Sequence, residues 1–402
     1  MLQIFLIGSI SGISYFMIEC SKKNKNVRNN KKEESVKEKE AQIKIYRNEK
    51  TNLISPETYA ELVKQLDLEY MNCLCVSRRE FDSYQFRKNL KFASFDAFDA
   101  NPTLNRYAEL KCRDSSRVVL ENRKNDYINA SWVVCDHKEY RGKNILTQGP
   151  LNHTSPDFWA MIYQEKVEYI VMFCSFIEKG VEQCAQYYPT KEGIEKYDNF
   201  EVKYVDKEKD PVEGVTWTVL HLINNTGNDT KPRTINHIYV SWWPENTAPK
   251  NPKLTVELYQ WLMKKNETHI PMVFHCNNGI GRSATFMAIY FFTRIDISTW
   301  KETRCKYEMH NIFLEALHYF RYGAIETPLQ YSFFICCLFE LFIQEGRIER
   351  SQDIRELMGH YKNYARHVRE MVKAGKEVTI ENTKKPQPTT SCYELSEFSL
   401  DE

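Results

Sequence analysis

Pro271-Met272-Val273-Phe274-His275-Cys276-Asn277-Asn278-Gly279-Ile280-Gly281-Arg282-Ser283 is the stretch that decides how this chain folds. Its apolar start reads as a buried strand, its glycines as a tight loop, and the apolar pattern from Ala284 onward as a helix. That order aims successive backbone N–H groups and the positive helix end at one point, which suits a phosphate-sized dianion. A cysteine sulfur placed there is favoured as the nucleophilic thiolate. Arg282 adds a planar fork for two phosphate oxygens, which a lysine could not match. Alone, Cys276 would read as a small core hydrophobe and the glycines as turn residues. With His275, Arg282 and Ser283 in place, the loop reads as a site for nucleophilic attack on phosphorus.

Outward from the loop, strand patterns fall at Tyr169 to Cys174, Thr216 to Leu222, Ile235 to Trp242 and Pro271 to His275. Helical patterns fall at Asp157 to Lys166, Thr255 to Lys265, Ser283 to Ile295, Phe313 to Tyr322 and Pro328 to Ile343. Mixed in this way, they predict an α/β domain with helices covering a sheet. The domain is expected over residues 56–346, opening on a helix with Tyr59, Leu62, Val63 and Leu66 on one face. Residues 347–374 carry apolar side chains at helical spacing and predict a C-terminal helix docked on the domain. The polar stretch 375–402 is expected to be disordered.

The 402-residue chain has a net charge of +1, which argues against a nucleic-acid binder defined by bulk charge. A hydrophobic fraction of 42% and an aromatic fraction of 13% suffice for a packed core. Twelve irregularly spaced cysteines without a CxxC pair read as reduced thiols in a cytosolic domain, not as a zinc site or disulfide framework. The N-terminus differs. Residues 1–20 hold an apolar run, 2–18, followed by Lys22, Lys23, Lys25 and Arg28 and a charged linker to residue 55. The run reaches the lower limit of a membrane span, about 17 residues. Its charge lies after the run, so a membrane anchor with the rest of the chain on the cytoplasmic side is favoured over a signal peptide or a trimmed gene product.

Several further motifs, in order, resemble the phosphotyrosine-specific protein tyrosine phosphatase family. They are Asn105-Arg106-Tyr107 with Ser116-Arg117-Val118, Asp126-Tyr127-Ile128-Asn129-Ala130-Ser131, Thr147-Gln148-Gly149-Pro150 and Phe158-Trp159. Glu178-Lys179-Gly180, Cys184-Ala185-Gln186-Tyr187-Tyr188-Pro189 and Trp243-Pro244-Glu245 continue the series, and the matches run from about Tyr84 to Gln344. The resemblance implies a single domain with a central, highly twisted mixed β-sheet flanked by helices on both sides. It implies that Cys276 attacks phosphorus and forms a phosphocysteine. The amides of Asn277, Asn278, Gly279, Ile280 and Gly281, with Arg282, would hold the phosphoryl oxygens, and Ser283 would stabilise the sulfur as a leaving group. By the same resemblance His275 orients the loop, Glu178 presets Arg282, Trp243 belongs to the mobile acid loop, and Gln330 positions the hydrolytic water. Tyr107 would wall a cleft deep enough for phosphotyrosine, and Glu109 would take backbone N–H groups of the bound peptide.

The chain departs from that pattern at several places. Glu245 stands where the family supplies its proton from an aspartic acid, and its extra methylene moves the carboxyl by about 1.5 Å. A misplacement near 1 Å can cost about 10²-fold in rate, so slowed but not abolished chemistry is expected. Glu326 replaces a glutamine and would repel a dianion unless protonated or turned away. Gln183 replaces a lysine that contacts the acid loop. Asn277 and Asn278 replace smaller residues, and their side chains are expected to point away from the cradle. The alternative to an active phosphatase is a catalytically impaired module that binds phosphotyrosine. The implied partners are phosphotyrosine-containing proteins. Neither a metal nor an organic cofactor is implied, because the loop amides and Arg282 neutralise the phosphate. Nothing in the sequence fixes an oligomeric state.

Overall fold

The computed structural model describes residues 93–137, 140–226, 231–294 and 316–376. The apolar run at 2–18, the charged linker, the helix expected from Pro56 and the tail from 377 lie outside the described residues. Among the described residues, no helix is long and apolar enough to cross a membrane.

Nine strands form one mixed sheet: β1 (Arg117–Val119), β2 (Tyr127–His137), β3 (Tyr140–Thr147), β4 (Tyr169–Met172), β7 (Ile194–Tyr197), β8 (Phe200–Glu208), β9 (Val215–Asn224), β10 (Arg233–Val240) and β11 (Met272–His275). Their order is β1-β2-β3-β11-β4-β10-β9-β8-β7, and β5 (Ile177–Glu178) and β6 (Val181–Glu182) pair separately. The centre is parallel: β11 runs with β3 and with β4, and β4 with β10. Both wings are antiparallel. Sequence follows this division. Tyr-Ile-Val-Met in β4 and Met-Val-Phe-His in β11 are buried at every position, as strands covered on both faces must be. In β9 buried positions alternate with half-buried ones, the pattern of a strand with one wetter face. Sequence patterning missed β1, β2, β3, β5, β6, β7 and β8. The last five residues of β8, Val205 excepted, carry charge or a hydroxyl group, so no apolar run marks it.

Four parallel strands have a functional consequence. The carboxyl ends of β3, β4, β10 and β11 open on one edge, where open α/β sheets bind their ligands. Thr147-Gln148-Gly149-Pro150, the segment reaching Glu178, Trp243-Pro244-Glu245 and the cysteine loop therefore leave the sheet together.

Among the described residues the α-helices include α1 (Asp96–Asp99), α2 (Ser155–Gln164), α3 (Lys253–Lys265), α4 (Arg282–Phe292), α5 (Pro328–Gln344) and α6 (Gln352–Lys373), and residues 316–320 are also helical. All residues of α4 are buried, because it lies on β2, β3 and β11 and is covered by α3 and α5. Helix α2 packs against β7 and β8. Helix α6 buries Ile354, Leu357, Met358, Tyr361, Ala365 and Val368 against the core, and α5 is its main neighbour.

Candidate active site

The loop between β11 and α4 turns tightly because Gly279 adopts a φ of +72°, where a Cβ would lie 2.3 Å from the Thr147 carbonyl oxygen. Only glycine fits there. The turn folds the loop over Cys276, whose side chain is fully buried. The Gly279 N–H points at Cys276 Sγ from 3.3 Å, and the Ser283 hydroxyl donates to it from 3.4 Å. Two donors thus converge on the sulfur.

Arg282 is buried and held in place. Its Nη1 donates to Glu178 Oε1 at 2.6 Å and to the Trp243 carbonyl at 3.0 Å. Its Nη2 is buried with no hydrogen-bond partner, which leaves one arm of the fork uncommitted. Burial opposes the guanidinium charge, yet Cys276, Cys174 and Glu178 together raise its pKa. Glu178 ties three segments at once. Besides Arg282, it accepts the Ser175 N–H at 3.1 Å on Oε1 and the Glu245 N–H at 3.1 Å on Oε2.

Glu245 reaches the cysteine loop: Asn277 Nδ2 donates to its Oε1. The same amide donates to Gln183 Oε1 at 2.7 Å and lies 3.3 Å from the Tyr107 hydroxyl. Two amides therefore connect Gln183 to the acid loop, where a lysine was the expected link. Behind Glu245, Trp243 is buried with its Nε1 on the Thr247 carbonyl at 2.7 Å. The loop's far end is tied to α6, with Arg369 Nη2 on the Ala248 carbonyl at 3.2 Å and the Tyr361 hydroxyl on that of Pro249.

Tyr107 is half-buried, and burial, then the charge of Glu245, raises its pKa. Its segment is fixed by Arg106, which donates to the carbonyls of Gly149 at 3.2 Å and Pro150 at 2.8 Å. Glu109 is exposed. His275 is fully buried, with Nδ1 3.1 Å from the Cys276 carbonyl and Nε2 2.8 Å from the Tyr187 hydroxyl. A carbonyl only accepts, so His275 Nδ1 carries a proton, and the Tyr187 hydroxyl can donate to Nε2. Tyr187 oxygen, 2.7 Å from His237 Nε2, then accepts from His237. That leaves His237 Nδ1 bare, and it has no partner. Burial, then His275, pushes the His237 pKa well down, in keeping with a neutral ring.

The side chains of Asn277 and Asn278 do not point away from the cradle, which corrects the sequence expectation. Asn278 Oδ1 accepts the N–H of Ile280 at 3.0 Å and that of Gly281 at 3.2 Å, and the Cys276 thiol lies 3.3 Å from it. Asn278 Nδ2 donates to both oxygens of Glu326, each at 3.0 Å. Glu326 is therefore turned towards the loop. The amide is one of its partners, which helps to explain how the carboxylate is accommodated there. Gln330 caps α5: its Oε1 accepts the Thr327 N–H, and its own N–H donates to Thr327 Oγ1, both at 3.2 Å. Its Nε2 would be 3.1 Å from a Cβ at Gly281, so the amide end still borders the loop.

Sequence reasoning missed Arg321. From beneath, this buried side chain donates to the carbonyls of Asn278 at 3.2 Å and Gly279 at 3.3 Å, and to Asn129 Oδ1 at 2.7 Å. The available signal was an arginine inside an apolar helical stretch, which burial permits only when its donors are met. Among the described residues, Cys174, Cys184 and His275 bring potential metal-ligand atoms within 4.8 Å of one another. Both nitrogens of His275 are already engaged, and burial raises the Cys174 thiol pKa, so the group does not suit an ion.

Residues 101–340 match the family described as protein-tyrosine phosphatase. The chain is 35% identical over 251 residues to human tyrosine-protein phosphatase non-receptor type 2, covering 60% of this chain and 57% of the human one. The rat protein of that name is 36% identical over 253 residues. A Lar-like tyrosine-protein phosphatase of Caenorhabditis elegans is 31% identical over 235 residues, which is 57% of this chain and 10% of the worm protein. The chain thus spans little more than half the length of the mammalian relatives it matches.

Proposed function

The chain belongs to the protein-tyrosine phosphatase family, and on that footing we propose that it hydrolyses phosphotyrosine in proteins through a phosphocysteine intermediate. The observation that carries this reading is the convergence on one sulfur of the Gly279 N–H and the Ser283 hydroxyl. Cys276 Sγ forms a bond to phosphorus while the bond to the tyrosine oxygen breaks, and Glu245 gives that oxygen a proton. Splitting one displacement into two lowers each barrier. The loop amides and the uncommitted arm of Arg282 hold the phosphoryl oxygens as charge redistributes. Water then attacks phosphorus, and the sulfur leaves with the Ser283 hydroxyl to stabilise it. Of the two side chains bordering Gly281, the Gln330 amide can orient that water without repelling the phosphoryl group.

Tyr107 gives the specificity for an aryl phosphate by stacking on its ring, and Glu109 accepts backbone N–H groups of the peptide. An anchor at residues 2–18 would hold the domain on the cytoplasmic face, and a fully soluble protein with an intact N-terminus would exclude it. The test of function is phosphate release from a phosphotyrosine peptide. Cys276→Ser should reduce it to background, and a parent chain no faster than that variant refutes the proposal.

One observation favours a second reading, a slow enzyme that captures phosphotyrosine: Glu245 is committed to Asn277. A large gain in rate in Glu245→Asp would support it, whereas no gain means that Glu245 already delivers the proton.

A further inference from the structure

The cradle in front of the sulfur is occupied by the loop's own side chain. Asn278 Oδ1 takes the Ile280 and Gly281 amides and faces the Cys276 thiol. Those are the donors that a bound oxyanion would use. A carboxamide oxygen there is a neutral stand-in for one phosphate oxygen. Its other end is also held, with Nδ2 on both oxygens of Glu326. One residue thus closes a bridge from the α5 entrance across to the anion site.

We propose that Asn278, held by Glu326, is a specificity-determining latch that competes with the phosphoryl group for the Ile280 and Gly281 amides. An oxyanion enters only after the Asn278 side chain rotates out. The identity of the natural ligand rests on the phosphatase reading above, but the competition does not. A charged oxyanion is a stronger acceptor than a carboxamide, so a ligand can displace the latch. Its apparent affinity is nevertheless divided by the fraction of molecules that are open, and an open fraction of about one in ten costs about tenfold.

Opening also moves the Asn278 amide off the Glu326 carboxylate, whose negative charge lies close to the site of the incoming anion. Small inorganic oxyanions bring no compensating contact. An aryl phosphate on a peptide brings its ring and backbone, and those remote contacts can offset the opening. The latch therefore selects against free phosphate and its analogues and spares the larger substrate.

The test is calorimetric titration of tungstate into the full chain and two variants. Asn278→Ala removes the competing oxygen and should bind tungstate about 10-fold more tightly. Glu326→Gln weakens the hold on the amide and removes the repulsion, and should gain about 3-fold. A merely structural asparagine would give no gain. Equal or weaker affinity in a folded Asn278→Ala, judged by an unchanged melting temperature, overturns the latch. Should that variant fail to fold, an unchanged affinity in Glu326→Gln does so. The readout needs no turnover, so a chain that shows the gain yet releases no phosphate from peptide refutes the phosphatase reading alone.

Discussion

The two sides of the cysteine loop are built from different chemistry. Beneath it, His275, Tyr187, His237 and Arg321 are all buried and hold the loop through backbone carbonyls and one hydroxyl. At its mouth, half-buried Tyr107, Glu245 and Glu326 meet the loop through the amides of Asn277 and Asn278. A carbonyl offers the same acceptor whatever the residue type, so the underside depends on the fold. The mouth depends on which side chain stands at each position. Changes below should therefore damage stability, and changes above should alter rate or affinity in a folded protein.

Arg321→Met is the strongest attempt to break that division. It removes charge-assisted donors from the Asn278 and Gly279 carbonyls and from Asn129, leaving buried acceptors unmet. Removing one side of a buried charged network costs about 3 kcal/mol or more. Urea unfolding should report a loss of that size, with turnover falling as the loop loosens. A loss under about 1 kcal/mol would mean that the underside is not what sets the loop's shape.

Glu245→Gln probes the mouth. Its carbonyl oxygen can still accept from Asn277 Nδ2, so the loop keeps its geometry and only the proton is lost. The rate on a phosphotyrosine peptide should fall by about 10²-fold, the lower end of what general acid catalysis contributes. Unfolding should shift by less than about 0.5 kcal/mol. An equal rate would remove Glu245 from the chemistry; a large stability loss would blur the contrast between the two sides.

The same contrast explains what could be read from sequence. Cys276, Arg282 and the strand–loop–helix were legible because residue type and local order determine them, and the buried strand at Tyr169–Met172 was legible as an apolar run. The direction of Asn278 was not legible, since it depends on Glu326, 48 positions later in the chain. Arg321 was missed for a similar reason: its targets are carbonyls 42 and 43 positions earlier, and carbonyls leave no mark on sequence. Glu326 was noticed as a substitution, but the Asn278 amide that accommodates its carboxylate was not. Local rules pointed to Cys276, while tertiary partners decide how accessible it is.

His237 gives the smallest effect and the sharpest check on the underside. Burial, then His275, holds its pKa well below the ordinary value near 6.5, and its Nδ1 has no partner. The folded chain therefore refuses a proton that the unfolded chain accepts. Stability is unaffected by this group above the ordinary histidine pKa and falls as pH drops below it, because the unfolded state then binds more protons. Between about pH 7.5 and about pH 5.5 the cost should reach about 1 kcal/mol. His237→Gln keeps an N–H near the Tyr187 oxygen but has no titrating ring. Urea midpoints at the two pH values should fall further for the parent than for this variant. Equal falls would mean that the His237–Tyr187–His275 chain of hydrogen bonds is not part of what holds the loop from below.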